Sequence, residues 1–273
     1  MRAATTAWTF PLGPLGELTA AAETRAGELA PFGSALELAA AAAAPVASFA
    51  AALRGADVTV IAELKRRSPS RGAINEALNV PARAAEYAAA GAAALSVLTE
   101  RSRFGGSLAD LRAVGAAVRL PLLRKDFIVS RLQLLEARSA GASAVLLIAR
   151  ALPPERRATL AAQAGALGLD VLLEVRDERE LDQALDVARA VIGINNRNLE
   201  TLVMDDAVSA RLLPLVPSGR TAVYESGVTS RADVERAAAL GADAVLVGSA
   251  LSSSANGGAA VAALVGVARR TRG

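Results

Sequence analysis

The chain has no cysteine and no histidine in 273 residues. Without cysteine there is no disulfide scaffold, no thiolate nucleophile, no zinc–cysteine site and no iron–sulfur cluster. Without histidine there is no Ser-His-Asp triad, and the commonest general base and metal ligand is gone. Aromatic side chains make up 3% of the chain. That is too few for a stacking platform, and the basic residues are dispersed, so no nucleic-acid partner is expected. Long hydrophobic runs are also missing. The most apolar stretch, residues 35–53, is mostly alanine and is interrupted by Glu37 and Pro45. It is a poor membrane span, and no membrane partner is expected. No apolar core of a signal peptide follows the N-terminus, so the expected location is cytoplasmic. Catalysis, if present, must run on Asp, Glu, Lys, Arg, Tyr, Ser or Asn.

Lysine is nearly missing too. Of the 30 basic residues only Lys65 and Lys125 are lysines, and the other 28 are arginines. Arginine keeps its proton near neutral pH, whereas a buried lysine can give it up. The two lysines are therefore candidates for proton transfer or Schiff-base chemistry. A net charge of +3 suits a small anionic substrate.

The rest of the composition is 53% hydrophobic with charges of both signs, which excludes disorder. Three segments resemble one another: GAAALSVLT from Gly91, GASAVLLIA from Gly141 and GADAVLVGS from Gly241. Each follows an Ala-rich helical pattern and reads as helix, Gly cap, then buried strand. Their glycines lie 50 and 100 positions apart, two and four units of about 25 residues. Filling the gaps gives eight strands: Val58–Lys65, Ala93–Thr99, Leu120–Phe127, Ala144–Ala149, Asp170–Arg176, Val191–Arg197, Thr221–Gly227 and Ala244–Ser249. Helical patterns lie near 81–90, 107–118, 130–140, 154–167, 177–188, 204–213, 230–240 and 257–270. Apolar strands alternating with helices predict a parallel sheet covered by helices. Eight units predict the α/β fold of a single (βα)8 TIM barrel, residues 58–273. The competing open doubly wound sheet lacks a GxGxxG after its first strand. Residues 1–57 fall outside the repeat. They predict an N-terminal helical extension packed on the barrel, with helices near 15–30 and 34–53.

Barrel chemistry sits at the C-terminal strand ends. There the chain places Glu63 and Lys65, both on the interior face by their spacing of two, then Lys125, Glu174 and Asn195. Both lysines fall on strand ends. Two carboxylates and two ammonium groups in one cavity support general acid–base work; an interior ion-pair network is the structural alternative. Gly227 after the seventh strand, with Gly248 and Ser249 after the eighth, predicts a phosphate site of backbone N–H groups, to which Ser68 could add a hydroxyl. Arg197 could pair with a substrate carboxylate or with an acidic side chain of the protein. Ser107, with Asp110 three residues on, predicts a helix N-cap.

These motifs resemble those of the indole-3-glycerol-phosphate synthase family. The segments are IAELKRRSPSRG at residues 61–72, LSVLTERSRFGGSLADL, PLLRKDF, GLDVLLEV, IGINNRNLETL, ESGV and VLVGSAL, in the family's order across about residues 58–251. The resemblance implies ring closure of 1-(2-carboxyphenylamino)-1-deoxyribulose 5-phosphate, with decarboxylation and dehydration, to indole-3-glycerol phosphate. It implies a small phosphorylated, anthranilate-derived substrate and no cofactor or metal. Lys125 resembles the general acid of ring closure. Glu174 resembles the acid/base group of dehydration. Lys65 resembles a second lysine that contacts the substrate carboxylate and can act as an acid in dehydration. Glu63 is similar to the carboxylate that holds the lysines, and Asn195 to the residue that orients the substrate, with Arg197 as its anion partner and Ser226 beside them. Ser68, Gly227, Gly248 and Ser249 resemble the phosphate site, and Phe127 and Leu146 the wall around the aryl ring. A monomer is expected, and the 22 residues after Leu251 leave no room for a fused second barrel.

The chain departs from the family pattern in three places. Its first helix is Ala-rich rather than lysine-rich, Tyr224 stands where a small residue is usual, and residues 252–258 are unusually polar. The alternatives are another phosphate-binding barrel enzyme (a sugar-phosphate isomerase or a Schiff-base lyase) and a non-catalytic barrel that binds a phosphorylated ligand.

Overall fold

Eight runs of Val, Ile, Leu and Ala, apolar on both faces, form eight parallel strands that close on themselves. In the computed structural model, which describes residues 8–272, these are β1 (Thr59–Leu64), β2 (Ala94–Leu98), β3 (Leu122–Lys125), β4 (Ala144–Ile148), β5 (Asp170–Val175), β6 (Val191–Asn195), β7 (Ala222–Glu225) and β8 (Ala244–Val247). Each pairs in parallel with its sequence neighbours, and β1 pairs with β8 to complete the barrel. Almost every strand residue is buried, as expected for a sheet with packed side chains inside and helices outside. The (βα)8 fold is therefore as the repeats predict.

The outer helices follow their strands: α4 (Val80–Ala89), α5 (Leu108–Ala117), α6 (Arg131–Ser139), α7 (Pro154–Ala166), α8 (Glu178–Leu185), α9 (Ala207–Leu212) and α10 (Arg231–Ala239). Their starts carry caps. Ser107 accepts from Asp110 N, and Ser130 and Ser230 each form a capping box. Two short helices, α11 (Ser249–Ser253) and α12 (Gly257–Ala262), follow β8.

The last helical pattern, 257–270, is shorter than expected. It stops at Ala262, and Gly266 turns the chain with φ +73°. The tail then crosses the N-terminal end of the barrel. Val58 N donates to Val267 O at 2.8 Å, and Arg269 N donates to Ala56 O at 2.9 Å. Arg272 ends buried, with its guanidinium on Asp243 Oδ2 at 2.8 Å and on the carbonyls of Val216, Gly241 and Arg220. The polar segment 252–258 is anchored: Ser252 donates to Glu63 O at 3.0 Å, and Asn256 caps α12.

The first seven residues of the expected extension lie outside the described residues. From Trp8 onward the chain runs down one side of the barrel. Helix α1 (Gly13–Glu28) lies across the C-terminal mouth, and α2 (Gly33–Ala41) packs on α6. Pro45 has no N–H and ends helical structure, so the expected helix 34–53 is broken. Its remainder is the single turn α3 (Phe49–Ala52), where Ser48 Oγ and Ala50 N both donate to Asp170 Oδ2 at 2.9 Å.

Candidate active site

Alternation along each strand sends every second side chain inward. The inward positions nearest the mouth are Glu63, Lys125, Glu174, Asn195 and Glu225, with Lys65 one step beyond β1. They line one cavity of about 260 Å³. Lys65 Nζ lies 2.7 Å from Glu63 Oε1, as the spacing of two predicts. Lys125 Nζ lies 2.9 Å from Glu225 Oε2 and 3.6 Å from Glu174 Oε2. Two ammonium groups thus meet three carboxylates.

Glu225 is the residue that sequence reasoning missed. The ESGV segment drew notice for Ser226 and Gly227, but Glu225 shares the inward parity of Val223 on a wholly buried strand. An inward carboxylate at a strand end was the available signal. Space for it comes from Gly193 on the neighbouring strand, where a Cβ would lie 2.1 Å from Glu225 Oε1. Gly248 does the same for the other pair, since a Cβ there would lie 2.2 Å from Glu63 Oε1 and 2.8 Å from Lys65 Nζ.

The charges hold one another in defined states. Burial works against the Lys125 ammonium, but Glu225, Glu174 and Glu63 outweigh it and raise its pKa above the ordinary lysine value. Burial pushes Glu63 up, while Lys65 and Lys125 bring it below the usual carboxylate value. Glu225 goes the other way. Burial, with Glu174 and Glu63 nearby, lifts it to about 7 despite the attraction of Lys125. Its Oε1 is buried without a hydrogen-bond partner among the described residues.

The far side of the cavity is built from loops. Asn195 Oδ1 accepts from Ser226 Oγ and from Arg197 N, both at 2.9 Å, so the amide carbonyl is engaged and its NH2 is left for the cavity. This contact holds Ser226 at φ +66°, a conformation that costs a non-glycine residue free energy and is found at functional sites. Gly227, Gly248 and Ser249 follow at the mouth with the start of α11, and Ser68 lies on the loop after the neighbouring strand β1, accepting from Arg71 N at 3.2 Å. Arg197 donates to Leu202 O at 3.0 Å and has no carboxylate partner among the described residues. That leaves its charge for a ligand and removes the internal ion-pair alternative. Arg71, also at the mouth, is near enough to lower the Arg197 pKa, after burial. Phe127 and Leu146 form an apolar wall with Phe104, whose ring lies 6.5 Å from that of Phe127. Leu15 and Leu18 of α1 close the top. Every site residue expected from the sequence thus borders this one cavity. Tyr224 points outward instead, buried beside Asn196 and Arg236, and is not among the residues that line the cavity.

Fold and cavity together define a (βα)8 barrel whose C-terminal mouth gathers two lysines, three glutamates and strand-end glycines. The sequence profile of indole-3-glycerol phosphate synthase matches residues 19–264, and the chain belongs to that family. An indole-3-glycerol phosphate synthase from a Parafrankia species is 54% identical over 200 residues, covering 73% of this chain and 75% of that protein. Indole-3-glycerol phosphate synthase 2 from Streptomyces coelicolor is 45% identical over 256 residues, covering 93% and 99%. Among solved structures, a tryptophan synthase alpha chain from Legionella pneumophila aligns at TM-score 0.57 and 14% identity, over 76% of this chain and 90% of that one. At that identity it supports the barrel fold alone.

Proposed function

We propose that this cavity performs the family's reaction, the conversion of 1-(2-carboxyphenylamino)-1-deoxyribulose 5-phosphate to indole-3-glycerol phosphate, CO2 and water, by lysine–glutamate acid–base catalysis. The observation that carries the reading is the seat of Lys125 Nζ between Glu225 and Glu174. Ring closure joins the aryl carbon bearing the carboxylate to the sugar carbonyl carbon. The carbonyl oxygen becomes a hydroxyl and needs a proton as the bond forms. Lys125, held cationic, supplies it. Glu225, titrating near neutrality 2.9 Å away, returns a proton to the amine. Breaking the bond to the carboxylate releases CO2 and restores the aromatic ring.

Dehydration then needs an acid for the leaving hydroxyl and a base for the proton released as the indole forms. Glu174 and Lys65 supply these, with Glu63 holding Lys65. Asn195 and Ser226 orient the sugar hydroxyls. The phosphate lies against Ser68, Gly227, Gly248 and Ser249, Arg197 takes an anionic group, and the aryl ring packs on Phe127 and Leu146. We place this chemistry in the cytoplasm, in a monomer with a soluble substrate and no nucleic-acid or membrane partner. No described helix is long and apolar enough to cross a membrane.

The test is to incubate the purified protein with the carboxyphenylamino-deoxyribulose phosphate and follow indole fluorescence and CO2 together. One CO2 per indole is expected. Turnover of a phosphorylated aminoaldose by isomerisation, with no CO2, would overturn the reading. So would a borohydride-trapped lysine adduct, which marks a Schiff-base lyase.

A further inference from the structure

We infer that Arg25, on the N-terminal helix, is a positioning residue for this reaction: through Asp126 it seats α1 over the cavity, against the strand end that carries Lys125 and Phe127. Arg25 Nη2 lies 2.8 Å from Asp126 Oδ1. The Asp126 side chain is 1% exposed and that of Arg25 25%. The carboxylate is a junction. Its Oδ2 accepts from Thr99 Oγ1 at 2.6 Å and from Arg124 Nη2 at 3.0 Å, and its Oδ1 also accepts from Phe127 N at 2.9 Å. Burial pushes Asp126 up, but Arg124 and Arg25 hold it below the usual carboxylate value. Three of its four partners belong to the barrel. The fourth comes from α1.

The pattern of α1 explains what this tie does. Leu15, Leu18, Ala22 and Ala26 are buried at helical spacing on one face, and Leu15 and Leu18 line the cavity. Arg25 lies seven residues, two turns, beyond Leu18 and so shares that face. The other ion pairs of α1, Glu17–Arg103 and Glu23–Arg156, have side chains from 39% to 62% exposed. Solvent screens them and they contribute little. The Arg25 contact meets a desolvated carboxylate, where charge is felt more strongly. Asp126 also sits between two residues that line the cavity, so the link runs from the helix covering the substrate to the strand end with the proposed acid. Removing Arg25 leaves Asp126 paired with Arg124, so the barrel wall persists and only the seat of α1 is lost.

The inference rests on the proposed assignment of Lys125 and Phe127 to the substrate site. Arg25→Met should raise KM about tenfold and leave kcat within about threefold, since what loosens is the wall over the substrate rather than the proton donor. Arg25→Lys should recover most of the loss in KM. Trp8, the single tryptophan, reports the seat independently: it precedes α1 by five residues and donates from Nε1 to Arg150 O at 3.2 Å. Acrylamide quenching of Trp8 should increase in Arg25→Met and not in Glu23→Gln, which removes an exposed pair of the same helix. Three results would each overturn the inference: KM in Arg25→Met within twofold of the parent, unchanged quenching, or equal changes in Glu23→Gln. Failure of the Lys125 assignment would show separately, as normal kcat in a Lys125 variant.

Discussion

At the residue scale, the site is a small electrostatic system in which each group sets the state of its neighbour. Glu225 shows this most clearly. Its carboxyl titrates at about 7 in the fold, against an ordinary value of 4.5. A carboxyl whose folded pKa is raised contributes stability that is present below about 4.5 and lost as pH rises through about 7. Glu225→Gln removes that dependence. The melting temperature of the variant should therefore gain on the parent's as pH goes from 5 to 8, and parallel curves would refute the assignment. Gly193→Ala tests the same carboxyl sterically. The added methyl has no room beside Glu225 Oε1, so kcat should fall at least tenfold, about 1.4 kcal/mol in the barrier. Glu225 is the harder residue to find in the sequence because Ser226 and Gly227 beside it carry the more familiar signal, although its inward parity at a strand end is legible there. Lys65 and Lys125 were legible because so few lysines are present.

At the scale of elements, the strands and their order could be read from the Gly-anchored repeat, since a buried parallel strand has a simple apolar signature. The connections were harder. Residues 257–270 carry an Ala/Val pattern that suits a helix, but Gly266 and the pairing of the tail with Ala56–Val58 win locally. Arg25 was invisible for a similar reason, as its partner lies 101 residues away. Support beneath the site is also long-range and polar. The Gln133 amide of α6 donates to Phe127 O at 3.0 Å and accepts from Val129 N at 2.8 Å. Gln133→Leu strands these buried backbone groups and should cost about 2–3 kcal/mol in chemical denaturation. Because the same loop presents Phe127, KM should rise as well; an unchanged KM would limit Gln133 to stability.

At the scale of the molecule, the two ends of the barrel divide their work. The C-terminal mouth gathers the charged cavity, the loops and α1. The N-terminal end is closed by the tail, with Arg272 and Arg269 on Asp243. Arg272→Ala leaves a carboxylate and several carbonyls short of a donor. It should destabilise by about 2 kcal/mol, lowering the melting temperature by several degrees with kcat/KM unchanged. A loss of activity without loss of stability would contradict this division.

In the proposed mechanism Lys125 delivers the proton of ring closure, and charge alone cannot replace it. The direct measurement is steady-state turnover of the carboxyphenylamino-deoxyribulose phosphate by Lys125→Arg, followed by indole fluorescence. Arginine keeps the positive charge but not the transferable proton. The variant should fold, with kcat lower by roughly 10²-fold or more and KM little changed. A kcat within a few-fold of the parent's would contradict it.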